Sequence, residues 1–130
     1  MSRLRTHPKD RLGEPVRKID LVEAAATLRA EPHAPVSGHR QIVLVRRGPV
    51  SLILFAFEAD GFLKEHGADG EVVIQTLTGQ LEVEAGGDVI GLEAGQALSL
   101  APGQAHSVRA LEVSDMLLTV CRIPDAQDTE

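Results

Sequence analysis

The chain has 130 residues, of which 43% are hydrophobic, and a formal net charge of −6. This length suits one domain that buries its own core without disulfides or a structural metal, and no apolar run approaches the roughly 18–20 residues of a membrane helix. Six Lys/Arg and two acids give residues 1–18 a charge of +4, so the rest carries −10. An acidic body argues against nucleic acid as a partner. We expect a cytoplasmic protein without a signal sequence.

The N-terminal part is predicted as an arm followed by one helix. Residues 1–17 are polar and show no periodicity, and residues 18–37 hold a short helix and a linker. Asp20 is a candidate N-cap with Glu23 at the capping-box spacing. Apolar residues then recur at helical intervals, and prolines end the helix, the first of them Pro32. The apolar positions are Leu21, Ala24, Ala25 and Leu28.

The pattern changes to short strands between residues 38 and 124, with a tail at 125–130. The predicted strands are 41–46, 50–59, 71–77, 80–85, 89–92, 96–101, 105–110 and 112–123. Glycine and proline turns separate them, which favours an antiparallel sandwich or barrel. We therefore expect an all-β domain, either an antiparallel sandwich or a small antiparallel β-barrel, preceded by one short helix.

Thr78-Gly79 is a tight-turn signal and predicts a hairpin in which Leu77 pairs with Gln80. Directly paired residues share a face, so one face of this hairpin is the core. Its members are Val72, Ile74, Thr76, Leu81, Val83 and Ala85. Glu71 falls on the opposite face unless a bulge shifts the strand.

Two predicted strands, 51–57 and 116–120, are apolar on both faces and need a cover outside the barrel. A partner subunit is the simplest cover, which favours a homodimer. Cys121 lies within the last predicted strand, 112–123, and we predict that it is a small buried hydrophobe rather than a nucleophile.

Two segments resemble the signature motifs of the cupin superfamily. The first runs from Gly61 through His66 to Gly79, and the second from Gly95 through Gly103 to His106. The resemblance spans about two-thirds of the chain and implies a double-stranded β-helix, or jelly roll. It also implies a metal set of three histidines and one glutamate.

The sequence departs from that metal set. His66 matches the second histidine and His106 the last, whereas Lys64 occupies the position of the first histidine. Glu71 reaches the glutamate position only if the strand is bulged. Lys64, two residues before His66, is predicted on the same strand face, where an ammonium would repel a divalent cation. We therefore expect no cofactor. A divalent transition metal on His66 and His106 is the alternative.

Three functions are compatible with these residues. The first is a binding module that holds a small molecule, with a carboxylate as the favoured class, around Lys64, His66, Thr76 and His106. The second is a cupin enzyme, either metal-dependent (oxygenase or isomerase type) or using His66 and His106 as general acid and base. The third is a regulatory or structural dimer with a vestigial pocket. Cupin sugar epimerases, as the resemblance implies, pair a histidine with a tyrosine that acts as the acid. This chain has no tyrosine, which argues against an epimerase.

Overall fold

The structure is a computed structural model that describes residues 14–123. Most of the predicted arm (1–17) and the predicted tail (125–130) therefore lie outside the described residues. Within them the chain forms one helix, α1 (Leu21–Arg29), and nine strands. The strands are β1 (His39–Arg47), β2 (Val50–Phe57), β3 (Phe62–His66), β4 (Gly70–Thr78), β5 (Gln80–Ala85), β6 (Asp88–Glu93), β7 (Ala97–Leu100), β8 (His106–Ala110) and β9 (Ser114–Arg122).

The strands form two antiparallel sheets that share one apolar core. The first sheet has the order β1-β2-β9-β4-β7, and the second has the order β3-β8-β5-β6. Alternate residues of both sheets point into the space between them, as expected for a strand with one buried face. The buried members of this core are Phe55, Phe57, Val72, Ile74, Leu81, Val83, Leu92, Leu100, Val108, Ala110, Met116 and Leu118. The predicted antiparallel all-β fold with one N-terminal helix is confirmed.

The helix begins where the capping pattern predicts, because the Glu23 backbone N–H donates to Asp20 Oδ1 at 3.0 Å. Its apolar stripe packs on the outer face of β1 and β2 and forms a second buried cluster there. The buried members are Ala24, Ala25, Leu28, Ile42, Leu44, Leu54 and Ala56. The chain itself therefore supplies part of the cover that we expected from a partner subunit. No described helix is long and apolar enough to span a membrane.

The predicted β4–β5 hairpin is wrong. β4 pairs with β7 and β9, whereas β5 pairs with β6 and β8, so Thr78-Gly79 carries the chain from one sheet to the other. The predicted core face nevertheless holds, because alternation along each strand does not depend on its partner. Ile74 and Val83 are fully buried, and Ala85 is half-buried.

Cys121 is exposed, contrary to the prediction that it is buried. It lies near the end of β9 on the outer face of the first sheet, where it pairs with Glu71 and Val50. Leu117 on that same face packs against the cluster under α1, but Cys121 is four residues further along and is not part of that cluster. An apolar run on both faces indicated burial along the whole strand, and the helix covers only part of it.

Candidate functional site

Two histidines meet at one end of the barrel. His66 ends β3 and His106 begins β8, and the two residues are directly paired in the sheet. Their ring centroids lie 4.4 Å apart with an interplanar angle of 56°. We call this pair the histidine dyad. The sequence motifs predicted that the two residues share a site, and the structure places them in contact.

A register shift in β3 decides which residues accompany the dyad. Leu63 pairs with Val108 and His66 with His106, so two residues on β3 oppose one on β8. Such a bulge reverses the alternation of side chains along the strand. His66 therefore falls on the same face as Leu63, and Lys64 falls on the opposite face. The prediction that Lys64 shares a face with His66 is wrong. Lys64 is exposed and lines an outer cleft with Phe62 and Arg109.

Backbone carbonyls set the tautomers of both imidazoles. His66 Nδ1 lies 2.8 Å from the Lys64 carbonyl oxygen, and His106 Nδ1 lies 3.1 Å from that of Gln104. A carbonyl oxygen can only accept, so each Nδ1 carries the proton and each neutral ring keeps a lone pair on Nε2. Within residues 14–123, neither Nε2 has a hydrogen-bond partner. The dyad thus presents two acceptors. No sequence pattern marks the two carbonyls.

Burial separates the two rings electrostatically. His106 is 1% exposed, whereas His66 is exposed to solvent. Desolvation lowers the pKa of His106 below its usual 6.5, the hydrogen bond to the Gln104 carbonyl raises it in part, and the neighbouring His66 lowers it further. His106 is therefore a neutral acceptor at pH 7.

The low pKa of His106 makes stability depend on pH. The unfolded chain binds a proton at His106 more readily than the folded chain does. The contribution of neutral His106 to the free energy of unfolding is therefore fully present above pH 6.5 and is lost as the pH falls towards the lower pKa of the folded state. We expect the thermal unfolding midpoint to decrease from pH 8 to pH 5, and to decrease less in His106→Gln. The exposed His33→Gln should keep the wild-type slope. If the unfolding midpoint depends on pH equally in wild type and His106→Gln, the lowered pKa of His106 is not the cause of the pH dependence.

Two loops form the mouth around the dyad. One is the β3–β4 connection at 67–69 and the other is the β7–β8 connection at 101–105. The Gly103 N–H donates to the Ala68 carbonyl at 2.9 Å, which ties the loops together. Apolar residues adjoin the dyad, since Ala85 pairs with His106, and Leu63 and Val108 come next along the strands. The dyad is therefore a polar group at the opening of an apolar interior.

Two other predicted site residues lie elsewhere. Thr76 is fully buried on the core face, and its hydroxyl donates to the Leu92 carbonyl at 3.3 Å. Gly70, at the start of β4, lies beside the mouth. Thr76 is six residues further along the strand, which corresponds to about 20 Å. Glu71 is exposed on the outer face and pairs with Cys121, with no register shift at that position. The structure does not bring either residue to the dyad.

The described residues supply an incomplete set of metal ligands. No group of three or more His, Cys, Asp or Glu side chains that could hold a metal occurs within residues 14–123. Protein zinc sites use three or four side-chain ligands. The dyad fits part of such a set, with both Nε2 lone pairs available, but it does not fit a tightly held resident ion.

Comparison with known proteins identifies the fold. No protein-family model matches the chain, and no curated protein matches its sequence. A cupin superfamily protein from Desulfitobacterium hafniense is 18% identical, with a TM-score of 0.69 over 87% of this chain and 96% of that one. An RmlC-like cupin from Shewanella frigidimarina is 16% identical, with a TM-score of 0.64 over 69% and 81%.

A third solved structure is similar over the same share of this chain as the Desulfitobacterium hafniense protein. A conserved protein of unknown function from Streptococcus pyogenes is 20% identical, with a TM-score of 0.69 over 87% of this chain and 93% of that one. Together with the two-sheet topology, these similarities show the fold. The chain is a cupin-fold protein.

Proposed function

We propose that this cupin-fold protein binds a small molecule at the mouth of its barrel through hydrogen bonds to His66 and His106. The observation that carries the proposal is the pair of Nε2 lone pairs, set by two backbone carbonyls and free of partners among the described residues. Acceptors bind donors. The ligand class is therefore a neutral molecule with hydroxyl or N–H groups rather than the carboxylate expected from the sequence.

A carboxylate is disfavoured because its expected cation is on the wrong side of the sheet. Lys64 lines the outer cleft, and burial keeps His106 neutral at pH 7. A neutral His106 would leave a carboxylate oxygen without a donor, which is costly near an apolar interior. A hydroxyl or N–H donor to each Nε2 contributes about 0.5–1.5 kcal/mol, so the dyad sets orientation more than affinity.

A transition metal is the second candidate, and a specific observation favours it. Metal-ligating histidines usually donate their other ring N–H to a carbonyl or carboxylate, as both members of the dyad do. His66 and His106 would hold the ion, which would act as a Lewis acid when bound. Two side-chain ligands hold an ion weakly, so we expect dialysis against a chelator to remove it.

Ligand binding in the presence and absence of a chelator separates the two candidates. We expect polyols and amides, but not simple carboxylic acids, to raise the unfolding midpoint, and the effect to survive chelator. His106→Phe removes the acceptor and keeps a buried ring, and we expect it to weaken binding about tenfold, which corresponds to about 1.4 kcal/mol. His33→Phe, in an exposed loop, is the matched control.

The possible outcomes are distinct. Binding that requires added Co²⁺ or Ni²⁺ and is lost in chelator would favour the metal candidate. Binding that is unchanged in both His66→Phe and His106→Phe would contradict the proposed site. Long-range ¹⁵N spectra of the imidazoles give a readout without any ligand, since both rings should carry their proton on Nδ1 at pH 8. Protonation of either ring on Nε2 would contradict the acceptor assignment.

A further inference from the structure

The second sheet carries an open cleft on the face that points away from the dyad. Its volume is about 270 Å³. We call it the outer cleft. Its lining comes from β3, β5 and β8: Phe62, Leu63, Lys64, Glu82, Glu84, Ser107, Val108 and Arg109. Nothing in the small-molecule proposal uses this face.

The charges of the outer cleft divide into a paired and an unpaired set. Arg109 lies 3.4 Å from the Glu82 carboxylate and 3.8 Å from that of Asp60. Lys64 and Glu84 have no ion pair or hydrogen bond through their side chains within residues 14–123. Both are exposed. The face therefore presents one positive and one negative charge that the described chain leaves unpaired.

The sheet register places these two charges on either side of Ser107. Glu84 on β5 pairs with Ser107 on β8. On the other side, Lys64 lies in the β3 segment opposite Ser107, between the pairs Leu63–Val108 and His66–His106. Neighbouring strands are about 4.8 Å apart, so Lys64 and Glu84 are separated by about 10 Å at their backbones. A cation and an anion thus lie on either side of one small residue.

We propose that the outer cleft is the interface for a second copy of this chain. A two-fold axis along β8 through Ser107 would place Lys64 of each copy against Glu84 of the other, so that one surface satisfies both charges twice. Arg109 would meet its own copy on this axis, and its charge is balanced by Glu82 and Asp60 within each copy. Such self-complementarity is what an isologous dimer requires. Two exposed apolar residues on the same face, Phe62 (40% exposed) and Val89 (59% exposed), supply contact area.

A second copy fits this surface better than a small ion does. The residues that line the outer cleft carry two positive charges, Lys64 and Arg109, and two negative charges, Glu82 and Glu84, so the cleft has no net charge to attract either kind of ion. This dimer differs from the one that the sequence suggested, because it uses the second sheet, whereas the strands that were expected to need a cover, β2 and β9, belong to the first. It is also independent of the dyad.

Charge reversal tests the interface directly. In sedimentation-velocity series at 0.15 M salt, we expect wild type to dimerise, and Lys64→Glu and Glu84→Lys each to raise the dissociation constant at least about tenfold, because like charges meet across the axis. The double variant Lys64→Glu/Glu84→Lys restores opposite charges and should return to within about threefold of wild type. Ser107→Arg puts bulk at the axis and should also dissociate the dimer.

Matched controls carry the same charge changes on other surfaces. Glu71→Lys on the outer face of the first sheet and Lys18→Glu before the helix should leave dimerisation unchanged. Circular dichroism verifies that each variant is folded. A monomeric wild type at every concentration would overturn the proposal. So would a dimer that none of the three cleft substitutions weakens, or one that the double variant fails to restore.

Discussion

Gly79→Ala is expected to lower the free energy of unfolding by ~3 kcal/mol, combining the cost of a left-handed backbone for alanine with that of overpacking. Gly79 has φ +83° and lies where the chain passes between the sheets. A Cβ added there would lie 2.2 Å from Ser114 Oγ and 2.4 Å from the Val113 carbonyl oxygen. The second contact is with backbone, and Ser114 Oγ is itself held by the Gln80 N–H at 3.0 Å. The site therefore has little room to relax.

Gly87→Ala is the matched control. Gly87 has a similar φ of +85°, but an added Cβ would find no atom within 4 Å. We expect a loss of only ~1–2 kcal/mol, the backbone cost alone. Denaturant unfolding followed by circular dichroism measures both values. If the two variants lose equal stability, the close approach of Gly79 to β9 is not what makes glycine necessary there.

Leu28→Ala is expected to cost ~3 kcal/mol, within the range for removing a buried leucine side chain. Leu28 is fully buried in the cluster between α1 and the outer face of the first sheet. Its removal leaves a cavity against strands that are apolar on both faces. We therefore expect the packing of α1 on the first sheet to contribute to the stability of the whole barrel.

Val22→Ala on the same helix separates packing from helix propensity. Val22 is 81% exposed, so its truncation should change stability by no more than ~0.5 kcal/mol. Chemical denaturation of both variants provides the comparison. A loss below 1 kcal/mol for Leu28→Ala would indicate that something other than α1 covers the first sheet.

Features that depend on neighbours in sequence were predictable. The capping residue Asp20, the buried face of α1 and the core-facing residues of β4 and β5 follow from local periodicity and are as predicted. The meeting of His66 and His106 was accessible only through the motif resemblance, since nothing local relates two residues on different strands.

Features that depend on pairing between distant strands were not predictable. Thr78-Gly79 has the composition of a hairpin turn, yet the strands that flank it belong to different sheets. Spacing alone predicted that Lys64 and His66 lie on the same strand face. A bulge between Leu63 and His66, visible only in the pairing of β3 with β8, places the two side chains on opposite faces. Cys121 was misjudged because its strand is covered by a helix that precedes it by some ninety residues and covers only one end.

The order of strands within the sheets constrains how this chain can fold. Among the described strands, only β1–β2 and β5–β6 are sheet neighbours joined by a short turn. The centre of the first sheet is β9, which joins β2 to β4 by pairing Phe57 with Ser114 and Val72 with Val120. Loop closure must come before such contacts form, and topologies of this kind fold in roughly milliseconds to seconds. During synthesis, β2 and β4 cannot be joined in one sheet until β9, the last of the described strands, has left the ribosome.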